Sequence, residues 1–351
     1  MRILHLTQCP VAGVPHAIER YARGTSEVHE HHLLAVPEVD VEKSAFASFM
    51  PLPSGTLGRI REVARAVKKI RPDVIHAHSS FAGGYARLAP VAVPIVYQPH
   101  CFAFDDPGRP WAVRGAYWAA EVLLGVRSTL TVALTPHERA LARSIGQGRR
   151  TVEVPNVSNV EPLGASVVRR HVGRALRVAM IGRIAPQKDP AFFAETARNL
   201  GLNEGRNPGV ELVWIGGGDP QDEATLRDSG VTVTGWTDRE GVARQLDEAD
   251  LYLHSAAYEG FPLSVLDAAA RNVPVVVRDI SCFRGYDIRK VSSPKEAAAL
   301  LTTLTEDRSP LNAIGRQSDA LLQHMNPASQ KNALLDLYSR AVGSAALGKE
   351  H

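Results

Sequence analysis

The chain has 351 residues, of which 44% are hydrophobic and 22% charged, an ordinary balance that excludes a disordered chain and suits two domains. Three scattered cysteines, Cys9, Cys101 and Cys282, exclude a disulfide framework and a zinc spacing, and point to a reducing compartment. No apolar run approaches the ~20 residues that span a bilayer, and MRILHLTQCP reads as a first strand rather than a signal peptide, so a cytoplasmic protein is expected.

Residues 1–160 alternate short apolar runs with helical stretches. Strands are predicted at Arg2–Leu6, His32–Val36, Val74–Ala77, Val93–Tyr97, Leu130–Leu134 and Val152–Val154. Such runs fit a parallel sheet covered on both faces, and the alternation predicts a doubly wound α/β domain with ligands at the carboxyl ends of its strands. The loop Gln8–Pro15 carries Gly13, before a helix expected at about His16–Arg23. Glycine there admits close backbone approach to a ligand, and a plain turn is the competing account. The run His29–His32 reads as an exposed strand start. His76 and His78 point to one strand face, but without a third ligand at a convincing spacing they do not make a metal site. His100 follows a strand directly and so lies on the carboxyl-end rim, where a structural role competes with a catalytic one. On the Leu57–Ile70 helix, Ile60, Val63, Val67 and Ile70 share one face, opposite a basic face of Arg59, Arg61, Arg65, Lys68, Lys69 and Arg71. That face is either solvated or meets a membrane surface or acidic partner.

Residues 159–174 read as a linker. A second α/β unit follows, with strands predicted at Arg177–Ile181, Glu211–Ile215, Val231–Val233, Leu251–Leu253 and Val275–Val277. The first ends in the loop Gly182–Pro190, before a helix at Ala191–Asn199. Arg183 and Lys188 share this loop and are placed to clamp a phosphate pair, although two exposed cations would look the same. Gly216-Gly217-Gly218 closes the next strand but lacks the dinucleotide-binding spacing, and no P-loop occurs anywhere. Then comes HSAAYEGFPLSVLDAAARNVP, residues 254–274. Glu259 precedes a helix expected to open with Pro262 at its first position, whose dipole favours an anion. Asp267 stands eight residues after Glu259, so two acids border one anion-friendly pocket and suit hydroxyl groups. Residues 326–347 read as an amphipathic tail helix.

Taken together, the Gly13 loop, DVIHAHSS (73–80), VYQPHCFAF (96–104), VPN (154–156), IGRIAPQKDP (181–190), WIGGGD (214–219), VTGW (233–236) and EGFPLSVLDAAA (259–270) resemble the family 4 glycosyltransferases nearly end to end. The resemblance implies a GT-B fold of two facing Rossmann-like domains. These would be an acceptor domain at 1–160 and a nucleotide-sugar domain at 175–325, with a helix at 326–351 packing back on the first. It implies that Arg183 and Lys188 meet the donor diphosphate, that Glu259 holds hydroxyls of the transferred sugar, and that Asp267 binds the ribose. Phe261, Pro262 and Leu263 would supply backbone to sugar and phosphate. Gly13 would approach the diphosphate, and His100 would stand near the sugar. Gly217 and Thr237 would border phosphate and base. The second acid is Asp where the family has Glu, so its reach is one methylene shorter.

The expected activity is retaining, hexosyltransferase-type transfer from a UDP- or GDP-sugar to an acceptor hydroxyl. His100, Arg183, Lys188 and Glu259 would carry it by front-face attack, without a metal or other cofactor. A sugar-nucleotide epimerase and a non-catalytic sugar-nucleotide-binding subunit are the alternatives. The acceptor, whether small molecule, glycan or lipid-linked, is not legible. Residues 1–160 hold 18 Lys+Arg against 13 Asp+Glu, and the remainder 22 against 24. This excess is too small for a nucleic-acid partner but permits peripheral membrane contact through helix 57–70, at the inner face of the membrane. Arginine outnumbers lysine 32 to 8, which suits a GC-rich bacterial genome.

Overall fold

The apolar runs become strands of two all-parallel sheets, because each is short, buried on both faces and followed by a helix that covers it. The computed structural model describes residues 1–10, 13–164 and 173–347. Val11 and Ala12 of the first loop and residues 165–172 of the expected linker therefore lie outside the described residues, as do residues 348–351. Two compact units are formed, one from residues 1–156 with 327–351, the other from residues 157–326.

In unit 1 the strands are β1 (Arg2–Thr7), β2 (Glu30–Ala35), β3 (Ser48–Pro51), β4 (Val74–His78), β5 (Ile95–Gln98), β6 (Leu130–Ala133) and β7 (Thr151–Glu153). Their order across the sheet is β3-β2-β1-β4-β5-β6-β7. Helices α1 (Gly13–Thr25), α2 (Thr56–Ile70), α3 (Ser80–Leu88), α4 (Trp111–Gly125) and α5 (Pro136–Ser144) connect them. Strand alternation sends Leu4 and Leu6 to one face, against Val63, Ala66 and Ile70 of α2 and Ala82 and Ala86 of α3.

Unit 2 contains β8 (Leu176–Ile181), β9 (Val210–Ile215), β10 (Thr232–Val233), β11 (Leu251–His254), β12 (Val275–Arg278) and β13 (Arg289–Val291). Their order is β10-β9-β8-β11-β12-β13. The helices are α6 (Pro190–Leu200), α7 (Pro220–Asp228), α8 (Arg239–Glu248), α9 (Leu263–Ala270), α10 (Pro294–Glu306) and α11 (Pro310–His324). The tail helix α12 (Pro327–Leu347) belongs to unit 1. There Leu334, Leu337 and Tyr338 join Tyr21 of α1 over Ile3, Val74, Val96 and Val132, on the sheet face opposite α2 and α3.

Two strands went unpredicted, and both are outermost in their sheets. β3 reads SFMP and β13 reads RKV; a proline or charges on an edge protect it from pairing but erase the apolar signal. β3 also corrects the reading of His29–His32. With β3 on one side and β1 on the other, β2 is an interior strand, and His29, His31 and His32 are buried rather than exposed. Among the described residues, no helix is long and apolar enough to cross a membrane.

Candidate active site

In unit 2 the loop after β8 is shaped by the glycines after β9. Gly216 has φ +139°, and a Cβ there would stand 2.3 Å from the Gly182 carbonyl oxygen; one on Gly218 would stand 2.2 Å from that of Ile184. Only bare backbone lets the two loops close, after which Ile184 donates to the Gly217 carbonyl at 2.9 Å and the Trp214 indole to that of Gly182 at 2.8 Å. The sequence treated these glycines as a failed nucleotide fingerprint. They instead press the Arg183 loop into place.

Within that loop, Lys188 contacts Glu259 as a tight ion pair, and the Gln187 amide donates to the second Glu259 oxygen at 3.2 Å. The backbone is stitched as well. Ala257 donates to the Gln187 carbonyl at 2.9 Å, and the Ser255 hydroxyl to that of Lys188 at 2.8 Å. Lysine and acid, 71 positions apart in the chain, are thus fixed together at the carboxyl ends of β8 and β11. Arg183 is exposed and makes no ion pair or side-chain hydrogen bond among the described residues, so its guanidinium is available to an anion. α9 begins at Leu263, with Pro262 as its N-cap at φ −74° and ψ 125°, and no side chain caps it. Pro262 is therefore one position earlier than expected, because its extended ψ places it outside the helix. Phe261 buries its ring against Phe283 and Tyr286. Thr237 is exposed just before Asp238, the N-cap of α8, and Gly217 packs against the exposed Trp236.

Asp267, the second acid of the expected pocket, is already engaged within unit 2. It is buried, and its carboxylate accepts from the Ser158 hydroxyl at 2.9 Å and the Asn159 amide at 2.5 Å. One helical turn into α9, the shorter acid meets the segment that follows residue 157. The structure joins Lys188 to Glu259 beside the Arg183 loop, while Asp267 is engaged by Ser158 and Asn159.

In unit 1, Gly13 is the first residue of α1 rather than part of the preceding loop. His100 sits beyond β5 with φ +53°, followed by Cys101 with φ +107°. Such conformations persist only when their surroundings hold them. The holder is Glu138, which accepts from the Cys101 amide and from the Leu134 amide, each at 2.7 Å. Burial raises the Glu138 carboxyl to about 7. Sequence reasoning passed over it, although Thr135-Pro136-His137-Glu138 has the spacing of a capping box, and Thr135 does accept from the Glu138 amide at 3.1 Å. The acid turns away from its own helix to serve the His100 loop. His78 Nδ1 lies 3.0 Å from His100 Nε2, and burial lowers His100 to about 3, so the imidazole is neutral at pH 7.

Two residues of unit 2 also escaped notice. Arg278, at the end of β12, donates to Asp189 at 2.5 Å and to the Ser255 carbonyl at 3.3 Å, adding a cation beside the Lys188 loop. His254 is fully buried with Nε2 3.8 Å from Glu259, and burial followed by the Lys188 charge lowers its pKa. His254 ends β11 and heads the stretch 254–274, and Arg278 ends β12, but neither was given a role from sequence.

The chain matches the family Glycosyl transferase 4-like domain over residues 3–157 and Glycosyl transferases group 1 over residues 175–307. It is 23% identical over 268 residues to the Escherichia coli UDP-Gal:alpha-D-GlcNAc-diphosphoundecaprenol alpha-1,3-galactosyltransferase, covering 69% of this chain and 68% of that one. A GDP-mannose-dependent alpha-mannosyltransferase of Mycobacterium tuberculosis is 28% identical over 228 residues, 61% of this chain and 57% of the relative. The crystal structure of Anabaena HepE in complex with UDP and glucose superposes with a TM-score of 0.77 at 16% identity, covering 97% of this chain and 99% of the other. Two parallel-sheet units, an anion-ready loop at the ends of β8 and β11, and family matches over both halves converge: the chain belongs to the family 4 glycosyltransferases, hexosyltransferase-type enzymes of the GT-B fold that move a sugar from a nucleotide sugar.

Proposed function

We propose that the protein is a retaining glycosyltransferase that uses a UDP- or GDP-sugar and needs no metal. The observation that supports this best is the exposed Arg183 beside the prealigned Lys188–Glu259 pair. Breaking the sugar–phosphate bond leaves negative charge on the diphosphate and positive charge on the sugar ring. Arg183, Lys188 and the α9 N-terminus stabilise the first, a preorganised contribution of roughly 3–4 kcal/mol for each essential donor. Glu259 holds the sugar hydroxyls, and the departing phosphate oxygen takes the acceptor hydroxyl's proton on the same face, so the anomeric configuration is kept. In unit 2, Gly217, Thr237, Leu263 and the Phe261–Pro262 backbone border the donor; in unit 1, the family resemblance assigns Gly13 to the diphosphate and His100 to the carbohydrate. Asp267, occupied by Ser158 and Asn159, supports the site from behind.

The acceptor in this reading is lipid-linked, and the protein meets a membrane peripherally. The surfaces that favour this are the basic face of α2, where Arg61, Arg65, Lys68, Lys69 and Arg71 are exposed, and the apolar side chains of α4. Trp111, Val113, Trp118 and Leu123 on α4, and Val126 just beyond it, are exposed, whereas Arg59 of α2 is occupied by Pro53 and Tyr85.

A thermal-shift panel of UDP-, GDP-, ADP- and dTDP-sugars tests the donor. At about a hundred times its dissociation constant the right nucleotide adds about 2.7 kcal/mol, and Arg183→Ala abolishes the effect. Retention of the anomeric configuration, read by NMR of the product, tests the mechanism; an inverted product sinks it. Release of an epimerised sugar nucleotide without any acceptor would replace transfer by epimerisation.

A further inference from the structure

We infer that the buried histidines of unit 1 lock His100 into one tautomer, with hydrogen on Nε2 and Nδ1 bare, so that a carbohydrate meeting His100 must present a hydrogen-bond donor, such as a hydroxyl, to it. The inference rests on the reading of His100 as a carbohydrate-facing residue.

The lock starts at Thr25. Its hydroxyl donates to the Tyr21 carbonyl at 2.9 Å, which spends its single hydrogen. His31 Nε2, 2.9 Å from the same oxygen, must therefore carry hydrogen and donate. Every ring in the chain is neutral, because burial depresses His31 and His100 to about 3 and His5 and His78 well below their ordinary value. A neutral ring has one hydrogen, so His31 Nδ1 is bare and accepts from His5 Nε2 at 2.9 Å. His5 Nδ1 is then bare and accepts from His78 Nε2 at 3.0 Å. By the same rule His78 Nδ1 accepts from His100 Nε2 at 3.0 Å, and the remaining nitrogen, His100 Nδ1, is an acceptor. It has no partner among the described residues. Thr25 has no second hydrogen to pass on, so the chain is closed at its inner end. It sets direction and does not carry protons away.

The sheet provides this geometry. His5 is paired in register with His76, and His78 lies two residues along the same face. These three rings each offer a nitrogen within 4.8 Å of the others, so an ion is the rival occupant. However, both nitrogens of His5 and of His78 already serve neighbouring histidines. A metal would break the His5–His78 bond and reverse His78 toward His100. The two readings therefore assign opposite hydrogens to His78.

Long-range proton–nitrogen correlations on protein labelled with 15N-histidine decide between them. At pH 7 the expected result is an Nε2–H tautomer for His5, His31, His78 and His100. An Nδ1–H tautomer or a mixture at His100 overturns the inference, as does stoichiometric Zn²⁺ uptake with loss of the His5 and His78 resonances. Thr25→Val, four rings from the surface, should scramble the His100 tautomer. It should also lower kcat/KM about tenfold for a sugar bearing the facing hydroxyl, and less than about twofold for its deoxy analogue, because His100 Nδ1 then no longer accepts from that hydroxyl, a bond the deoxy sugar never makes. Thr25→Ser should restore both. Equal losses on the two sugars, with the His100 tautomer unchanged, overturn the inference. If no nucleotide sugar binds, the functional reading fails while the tautomers still decide this one.

Discussion

The two units share strand order and parallel pairing, yet they equip the carboxyl ends of their strands with opposite electrostatics. Unit 1 offers neutral imidazoles, made neutral by burial and arranged by hydrogen bonds. Unit 2 offers formal charges, Arg183 and the Lys188–Glu259 pair, backed by a helix terminus. The difference shows that this topology supplies positions, whereas the loops and a few inward-facing residues decide the chemistry. It also means that pH should act first on unit 1 and salt on unit 2.

The largest expected effect comes from acid. Folded His31, His76 and His100 sit at about 3 against 6.5 unfolded. Their stabilisation is complete above pH 6.5 and is lost as pH falls toward 3, up to about 5 kcal/mol for each group. Hydrogen exchange followed from pH 7 to pH 4 should show unit 1 amides losing protection before those of unit 2. Simultaneous loss in both units would erase the contrast. Charge removal comes next. Lys188→Ala or Glu259→Gln should cut kcat by about 10²–10³, roughly 3–4 kcal/mol, and raising salt should raise the donor KM of the wild type. A salt-insensitive donor KM would mean that the cations do not meet phosphate.

Glu138→Gln is expected to cost about 1–3 kcal/mol in thermal or denaturant unfolding, since one oxygen no longer matches its amide. Its pH effect runs opposite to that of the histidines. With its folded pKa raised to about 7 by burial, the wild-type carboxyl stabilises fully below about 4.5 and loses that contribution as pH rises through 7. The variant should lack this decline. Asp267→Asn is the mildest, about 1 kcal/mol of unit 2 stability, as the amide keeps one acceptor for Ser158 and Asn159. A large rise in donor KM with unchanged stability would return Asp267 to the ribose.

Apolar runs bounded by Gly and Pro determined the central strands, because burial on both faces leaves a signal every residue carries. Edge strands β3 and β13 had no such signal, and the burial of His29–His32 followed only from where β3 pairs. Local motifs named Arg183, Lys188 and Glu259 as individual residues. Their arrangement was decided by contacts the sequence does not encode locally. Lys188 reaches Glu259 across 71 positions, Asp267 turns to Ser158, Glu138 holds the strained His100 loop, and β1 brings His5 beside His78. A carboxylate or imidazole has several possible partners within reach, and only the packed sheets and helices exclude all but one.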